Sequence, residues 1–150
     1  MEFKIDTLPQ DFNTSIQSME KRVNEIIDKT KGEMTWILNY PAIYTCGASK
    51  SDNDLLDKSK FPIFKTNRGG KYTYHGPGQR IIYLMINLNE RNKDIKEFVE
   101  LIENIVLKIL KRFGVNGVID HEHHGVFIKK GDKNLYKIAS IGLKFKKWVS

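Results

Sequence analysis

The chain has a single cysteine, Cys46, among its 150 residues. That excludes an internal disulfide and suits a reducing compartment, with the cytoplasm as the default. Long apolar runs are missing as well. The longest covers residues 81–86, far short of the ~20 residues that cross a bilayer, and it predicts a buried strand. The opening residues, Met1-Glu2-Phe3-Lys4-Ile5-Asp6, place no apolar h-region behind a basic start, so no secretory signal is expected. Internal repeats and low-complexity linkers are also lacking. With 40% apolar and 29% charged residues, the composition is that of an ordinary globular protein, long enough for one domain with its own core.

Acidic residues are scarce at one end. Over residues 129–150, seven lysines (129, 130, 133, 137, 144, 146 and 147) face one acid, Asp132. This segment carries +6 of the formal charge of +7, so the remainder is close to neutral. Such a patch attracts nucleic acid, an anionic membrane or an acidic protein. Lysines that merely solvate one face of terminal strands account for the same charge.

Apolar residues at helical spacing (Ile16, Met19, Val23, Ile26 and Ile27) predict an amphipathic helix over 13–29, with Gly32 as its stop. Met34–Asn39 reads as a short strand that ends at Tyr40-Pro41, because proline removes a donor. Residues 49–59 are polar and predict a surface loop with at most one helical turn. Short strands are expected over 61–66 and 80–88, the latter buried. The clearest periodicity spans 94–113, where Ile95, Phe98, Val99, Ile102, Val106, Ile109, Leu110 and Phe113 form a stripe that predicts core. Gly114 follows as a C-cap, and Lys108, Lys111 and Arg112 complement the helix dipole. Beyond Gly117 the pattern shortens to hairpin-connected strands over 118–119, 126–129, 135–141 and 143–149, with a turn at Gly131-Asp132. The sum predicts an α+β fold, a mixed, mostly antiparallel sheet packed with two main helices.

The densest chemistry lies in Arg68-Gly69-Gly70-Lys71-Tyr72-Thr73-Tyr74-His75-Gly76-Pro77-Gly78-Gln79. Paired glycines let backbone approach a ligand without an intervening Cβ. Arg68 and His75 set polar, ionisable groups at either end, and Gly76-Pro77-Gly78 makes a stiff turn into the next strand. An ordinary glycine-rich connection between strands is the plainer reading, but two tyrosines, an arginine and a histidine beside four glycines favour a ligand-binding loop.

This string resembles the signature of the lipoyl(octanoyl) transferases, in the biotin/lipoate ligase superfamily. Upstream, Tyr44-Thr45-Cys46-Gly47 resembles the family's Tyr-Thr-x-Gly segment. Downstream, Lys137-Ile138-Ala139-Ser140-Ile141-Gly142 resembles its Lys-Ile-Ala-x-x-Gly segment. The ending His-Gly-Pro-Gly differs from the His-Asp usual in ATP-dependent lipoate ligases. The resemblance implies a biotin/lipoate protein ligase-like fold in a single octanoyltransferase-like domain over 1–150. It implies transfer of an octanoyl group from acyl carrier protein to a lysine on lipoyl domains of 2-oxoacid dehydrogenases or the glycine cleavage system, through a cysteine thioester. Lys137 would lower the pKa of that thiol, since a nearby cation favours the thiolate. Arg68, Gly69, Gly70, Lys71, Tyr72, Thr73, Tyr74 and His75, with Ser140, Ile141 and Gly142, would bind the substrate, and backbone N–H groups around Gly142 would face a developing oxyanion. No cofactor, metal or ATP is expected, because the acyl group arrives activated. The acidic partners would also give the terminal lysines a role.

In the family a His-Gly-x-Ala segment comes next, and later a Pro-Cys-Gly nucleophile. The sequence ends at Trp148-Val149-Ser150, where that segment is expected. A chain lacking the family's C-terminal part and its nucleophile is therefore implied, with a non-catalytic acyl- or carrier-protein-binding remnant as the alternative to transfer. Cys46 lies near an expected loop with no cation or helix N-terminus beside it, and reads as a small packed residue rather than a substitute nucleophile. His121-Glu122-His123-His124 invites a metal reading, but no second ligand pair accompanies it and a polar loop explains it better. Nucleic acid is disfavoured because no aromatic-basic strand motif is present, and no membrane partner is expected.

Overall fold

A computed structural model describes residues 1–120, 125–131 and 134–150. These form two compact units, one of Met1–Lys93 with Leu143–Ser150 and one of Asp94–Gly142.

In the first unit, helix α1 (Phe12–Ile27) starts where the Asp11 carboxylate accepts the Thr14 N–H at 2.8 Å, satisfying a donor that the first turn leaves open. It ends earlier than Gly32. Lys29 takes a left-handed φ of 56°, and the N–H groups of Lys29 and Thr30 donate back to the carbonyls of Ile26 (3.1 Å) and Glu25 (2.9 Å), a Schellman closure built on a lysine. The expected stripe packs inward. Ile26 is buried, and Ile16, Met19, Val23 and Ile27 lie against a core of Phe12, Met34, Trp36, Leu38, Tyr40, Ile43, Met85 and Val149.

Two three-stranded sheets complete this unit. In the first, β2 (Met34–Asn39) lies between β1 (Glu2–Pro9), parallel to it, and the antiparallel β6 (Ile81–Met85). β2 has the bounds expected of it. β1 was not anticipated: Phe3, Ile5 and Leu8 stay exposed, and pairing with β2 is what makes the segment a strand. The run 81–86 is also less buried than expected. β6 is an edge, so Ile82 remains 47% exposed, and only Met85 and Ile86 are buried. In the second sheet, β3 (Ile43–Cys46) lies between β4 (Ile63–Lys65), parallel, and β5 (Tyr72–His75), antiparallel. β3 was not anticipated, and β4 is shorter than 61–66. The 49–59 loop carries one short helical turn, Asp52–Asp54, as expected.

The segment 143–149 is not a strand. Lys147 and Trp148 both have left-handed φ (49° and 65°), and Lys146 and Val149 exchange backbone hydrogen bonds at 2.9 Å in a two-residue turn. Val149 is thereby buried, while the Leu88 N–H donates to Trp148 O (2.8 Å) and the Ser150 N–H to Ile86 O (2.9 Å). Lysines alternating with apolar residues imitate a strand period; positive φ at two consecutive residues breaks it.

The second unit joins α2 (Ile95–Arg112) to an antiparallel sheet of β7 (Gly117–Ile119), β8 (Val126–Lys129) and β9 (Leu135–Ala139). Asp94 caps the helix at the Glu97 N–H (3.0 Å), and Gly114 follows the C-cap Phe113 with a φ of 72°. The stripe predicted as core is only partly buried. Phe98 is buried and Val99, Ile102, Val106 and Leu110 are half-buried, but Ile95, Ile109 and Phe113 are exposed; within its unit α2 packs on the short strands β7 and β8. β9 ends at Ala139 rather than at 141. Of the turn at Gly131-Asp132, Asp132 lies outside the described residues. Among the described residues four of six strand pairings are antiparallel, so the fold is the expected α+β with mixed, mostly antiparallel sheets. No described helix is long and apolar enough to cross a membrane.

Candidate functional site

The antiparallel pairing of β3 with β5 sets Thr45 opposite Thr73 and Ile43 opposite His75. Side chains alternate across a strand, so Thr45, Thr73 and His75 share one face, whereas Tyr72 and Tyr74 belong to the other. On that other face Tyr74, Tyr44 and Phe61 pack ring on ring, with centroids 5.4–5.9 Å apart.

Arg68 closes over the first face. Its Nη2 donates to Thr45 Oγ1 and Thr73 Oγ1, each at 2.9 Å, and to the carbonyls of Lys71 (3.2 Å) and Thr45 (3.3 Å); Nη1 donates to Gly69 O (2.8 Å). All of these partners are neutral oxygens, and no described carboxylate bonds the guanidinium. Burial lowers the Arg68 pKa, with the Cys46 thiol and the Tyr83 phenol acting the other way. A guanidinium nonetheless stays charged in proteins. Among the described residues, therefore, the face holds one half-buried positive charge and no counter-ion.

His75 has a defined tautomer. Gln79 Nε2 donates to Tyr74 O (3.1 Å), which turns its Oε1 toward His75 Nδ1 (2.7 Å). An amide oxygen only accepts, so Nδ1 carries the proton and Nε2 is the acceptor. The Thr45 hydroxyl donates to Nε2 (3.1 Å) while receiving Arg68. Burial lowers the His75 pKa, the Gln79 bond opposes this, and the Arg68 charge lowers it further, so the ring is neutral near pH 7. The Tyr40 ring meets His75 edge-on at 6.0 Å, and the hydroxyls of Tyr40 and Tyr83 are 3.1 Å apart. Burial raises both phenol pKa values, so both remain protonated. The resulting wall has one cation, neutral donors and aromatic edges, which suits a ligand with an apolar body and acceptor oxygens.

Two separated sequence segments are locked together beside this wall. Gly47 N donates to Lys71 O (3.2 Å), Ala48 N to Arg68 O (3.0 Å) and Ser49 N to Gly70 O (3.1 Å). A Cβ on Gly47 would lie 2.3 Å from Gly70 O and 2.7 Å from Gly69 O, so only glycine permits this approach. Of the residues expected to bind substrate, Arg68, Thr73 and His75 converge on Thr45. Lys71 instead pairs its ammonium with Asp54 at 2.8 Å. Cys46 is the last residue of β3 and is 2% exposed, a packed residue as expected.

The second unit carries the other expected residues. Lys137 lies on β9 opposite Phe127, with Nζ 5.1 Å from the ring centroid, and Ser140, Ile141 and Gly142 follow without regular structure. Of the terminal lysines, Lys130 lies over Tyr136, Lys144 pairs with Glu20 (2.9 Å) and Lys146 bonds Asn24 (2.7 Å), while Lys133 lies outside the described residues. His121, Glu122, His123 and His124 also lie outside them, and the described residues contain no cluster of three or more metal-binding side chains.

Sequence reading missed Thr45 as the bridge, Gln79 as the orienter of His75, and Tyr40 and Tyr83 as the aromatic wall. Thr45 and Gln79 stood inside the quoted motifs. The tyrosines carried no signal apart from apolar strands.

The lipoyl protein ligase A/B catalytic domain matches residues 11–150. The chain belongs to that family. It is 44% identical over 151 aligned positions to an octanoyltransferase of Neorickettsia sennetsu, covering 100% of this chain and 72% of that protein. It is 41% identical to an octanoyltransferase of Parvibaculum lavamentivorans, covering 99% of this chain and 68% of that protein. By family, therefore, it is an acyltransferase. Among solved structures, the bipartite lipoate protein ligase of Thermoplasma acidophilum matches with a TM-score of 0.55 at 18% identity, over 87% of this chain and 52% of that chain. A lipoate-protein ligase A bound with ATP matches with a TM-score of 0.55 at 17% identity, over 81% and 51%. These likenesses establish the biotin/lipoate ligase fold, and the chain spans about half the length of the solved structures it matches.

Proposed function

We propose that the chain supplies the acyl-binding and activating part of an octanoyltransferase. It takes an octanoyl group from acyl carrier protein and passes it to a lysine of a lipoyl domain, in the cytoplasm, without ATP. The observation that carries this reading is the half-buried Arg68 guanidinium, without a carboxylate, wired through Thr45 to a neutral His75. Those groups stand in the segments where the chain resembles transferases, and its relatives above 40% identity are octanoyltransferases.

In this reading the octanoyl chain lies along the apolar wall beside Arg68 and His75. Lys137 holds its positive charge near the thiol that takes up the acyl group and favours the thiolate. Ser140, Ile141 and Gly142 offer backbone N–H groups to the tetrahedral intermediate. The nucleophile is a cysteine outside these 150 residues, because the only one among them is buried in β3. That same burial favours, as a second reading, a chain that binds octanoyl groups or carrier protein without transferring them.

Intact-mass spectrometry of the protein with the cysteine-bearing segment included, after incubation with octanoyl-acyl carrier protein and a lipoyl domain, tests both. Octanoylated lipoyl domain, retained in Cys46→Ser and lost in Lys137→Ala, supports the transferase. A hydroxylamine-labile octanoyl adduct on Cys46 would overturn the assignment of the nucleophile. Carrier-protein binding with no transfer leaves the second reading.

A further inference from the structure

Among the described residues Glu103 is the only buried carboxylate or cation, 3% exposed. It lies midway along α2, away from the helix ends where charge is stabilised. A carboxylate withdrawn from water is costly unless it is hydrogen-bonded. The bond it makes is specific: Oε1 accepts the N–H of Gly125 at 3.1 Å, inside the second unit.

Gly125 is no ordinary turn residue. Its φ is 113°, and a Cβ there would lie 2.6 Å from Ala139 O and 3.8 Å from Lys137 Cε. The backbone at Gly125 therefore lies directly against β9, with no room for a side chain between. One residue later the register is irregular: Val126 faces Ala139 while Phe127 faces Lys137, so Ile138 has no partner. An extra residue of this kind is a β-bulge, which bends its strand and re-aims the adjacent side chains. Beside it Lys137 holds its ammonium over the Phe127 ring at 5.1 Å. Buried anchor, pinned glycine and bulge thus converge on Lys137.

We propose that Glu103 is a positioning residue for Lys137: by holding the Gly125 N–H it fixes the start of β8 against β9 and so sets where the Lys137 ammonium points. This rests on the reading of Lys137 as the amine that activates the thiol, but it can be tested apart from that reading. Reductive methylation with isotopically labelled formaldehyde gives each lysine an NMR signal, and Lys137→Arg identifies the one that belongs to Lys137. In Glu103→Ala the Lys137 signal should shift, because the start of β8 is no longer held against β9. With the cysteine-bearing segment included, octanoyl transfer should fall about ten-fold in kcat with KM unchanged, the size of one lost buried hydrogen bond. Glu103→Gln, whose amide oxygen still accepts from Gly125, should restore both. A folded Glu103→Ala with the parental Lys137 signal overturns the proposal, as does failure of Glu103→Gln to restore that signal. Should Glu103→Ala not fold, Glu103→Asp, with its oxygens drawn back by one methylene, is judged by the same signal. If Lys137→Ala transfers octanoyl at the parental rate, the role given to Lys137 fails, while the NMR result still decides the positioning.

Discussion

Replacing Thr45 by valine probes the wiring of the candidate site with almost no change in shape. The hydroxyl accepts from Arg68 Nη2 at 2.9 Å and donates to His75 Nε2 at 3.1 Å, and Thr45 is 1% exposed. A hydrogen bond to a charged donor contributes about 1.5–3 kcal/mol and a neutral one about 0.5–1.5 kcal/mol. Arg68 retains Thr73 Oγ1 and three carbonyls and is only half-buried, so the lower part of the first range applies. Thr45→Val should therefore cost about 2–3 kcal/mol. Thr73→Val removes one bond to the same nitrogen and leaves His75 untouched, and should cost about 1.5 kcal/mol. Urea unfolding followed by tryptophan fluorescence measures both, since Trp36 and Trp148 both lie in the first unit. If Thr45→Val proves no more damaging than Thr73→Val, the Thr45–His75 bond contributes nothing and the relay from Arg68 to His75 is refuted.

Three further outcomes are expected. Gly47→Ala would drive a methyl group to 2.3 Å from Gly70 O, so the two motif segments must separate; a loss of about 2 kcal/mol in the same unfolding assay, together with weaker octanoyl transfer, is expected. Lys29→Gly relieves a left-handed φ of 56° at the end of α1 and should stabilise the first unit by about 0.5–1 kcal/mol, seen as a higher urea midpoint. Acid should weaken the first unit in two stages. His75 is held below its ordinary value by burial, so its contribution is complete above about pH 6.5 and declines as pH falls through the lowered value. Glu33 is held low chiefly by its hydrogen bond from Arg91, so its contribution is complete above about pH 4.3 and is lost below. Urea midpoints against pH should show both stages, with Glu33→Gln abolishing only the lower one.

What was legible in the sequence is what depends on neighbours close along the chain. The spacing of Ile16, Met19, Val23, Ile26 and Ile27 made a helix because the 3.6-residue period is local, and Asp94 and Gly114 bracketed α2 for the same reason. That Arg68, Thr73 and His75 carry polar chemistry close together was legible because they stand in one short string. β1 and the 146–149 turn were not, since one exists through a parallel partner thirty residues away and the other through two left-handed residues no pattern announces. The exposed side of α2 also went unread: periodicity tells which residues share a face, not how much of that face its neighbours cover.

The sequence by itself thus determined the two helices, the strand β2 and the family signature. Tertiary structure alone decided that Thr45 bridges Arg68 and His75, that Gly47 lies under Gly70, that Cys46 is shut inside β3 and that Glu103 holds Gly125. Hydrogen bonds and close approaches between residues twenty or thirty positions apart depend on strand register and burial, and these emerge only when the strands have paired.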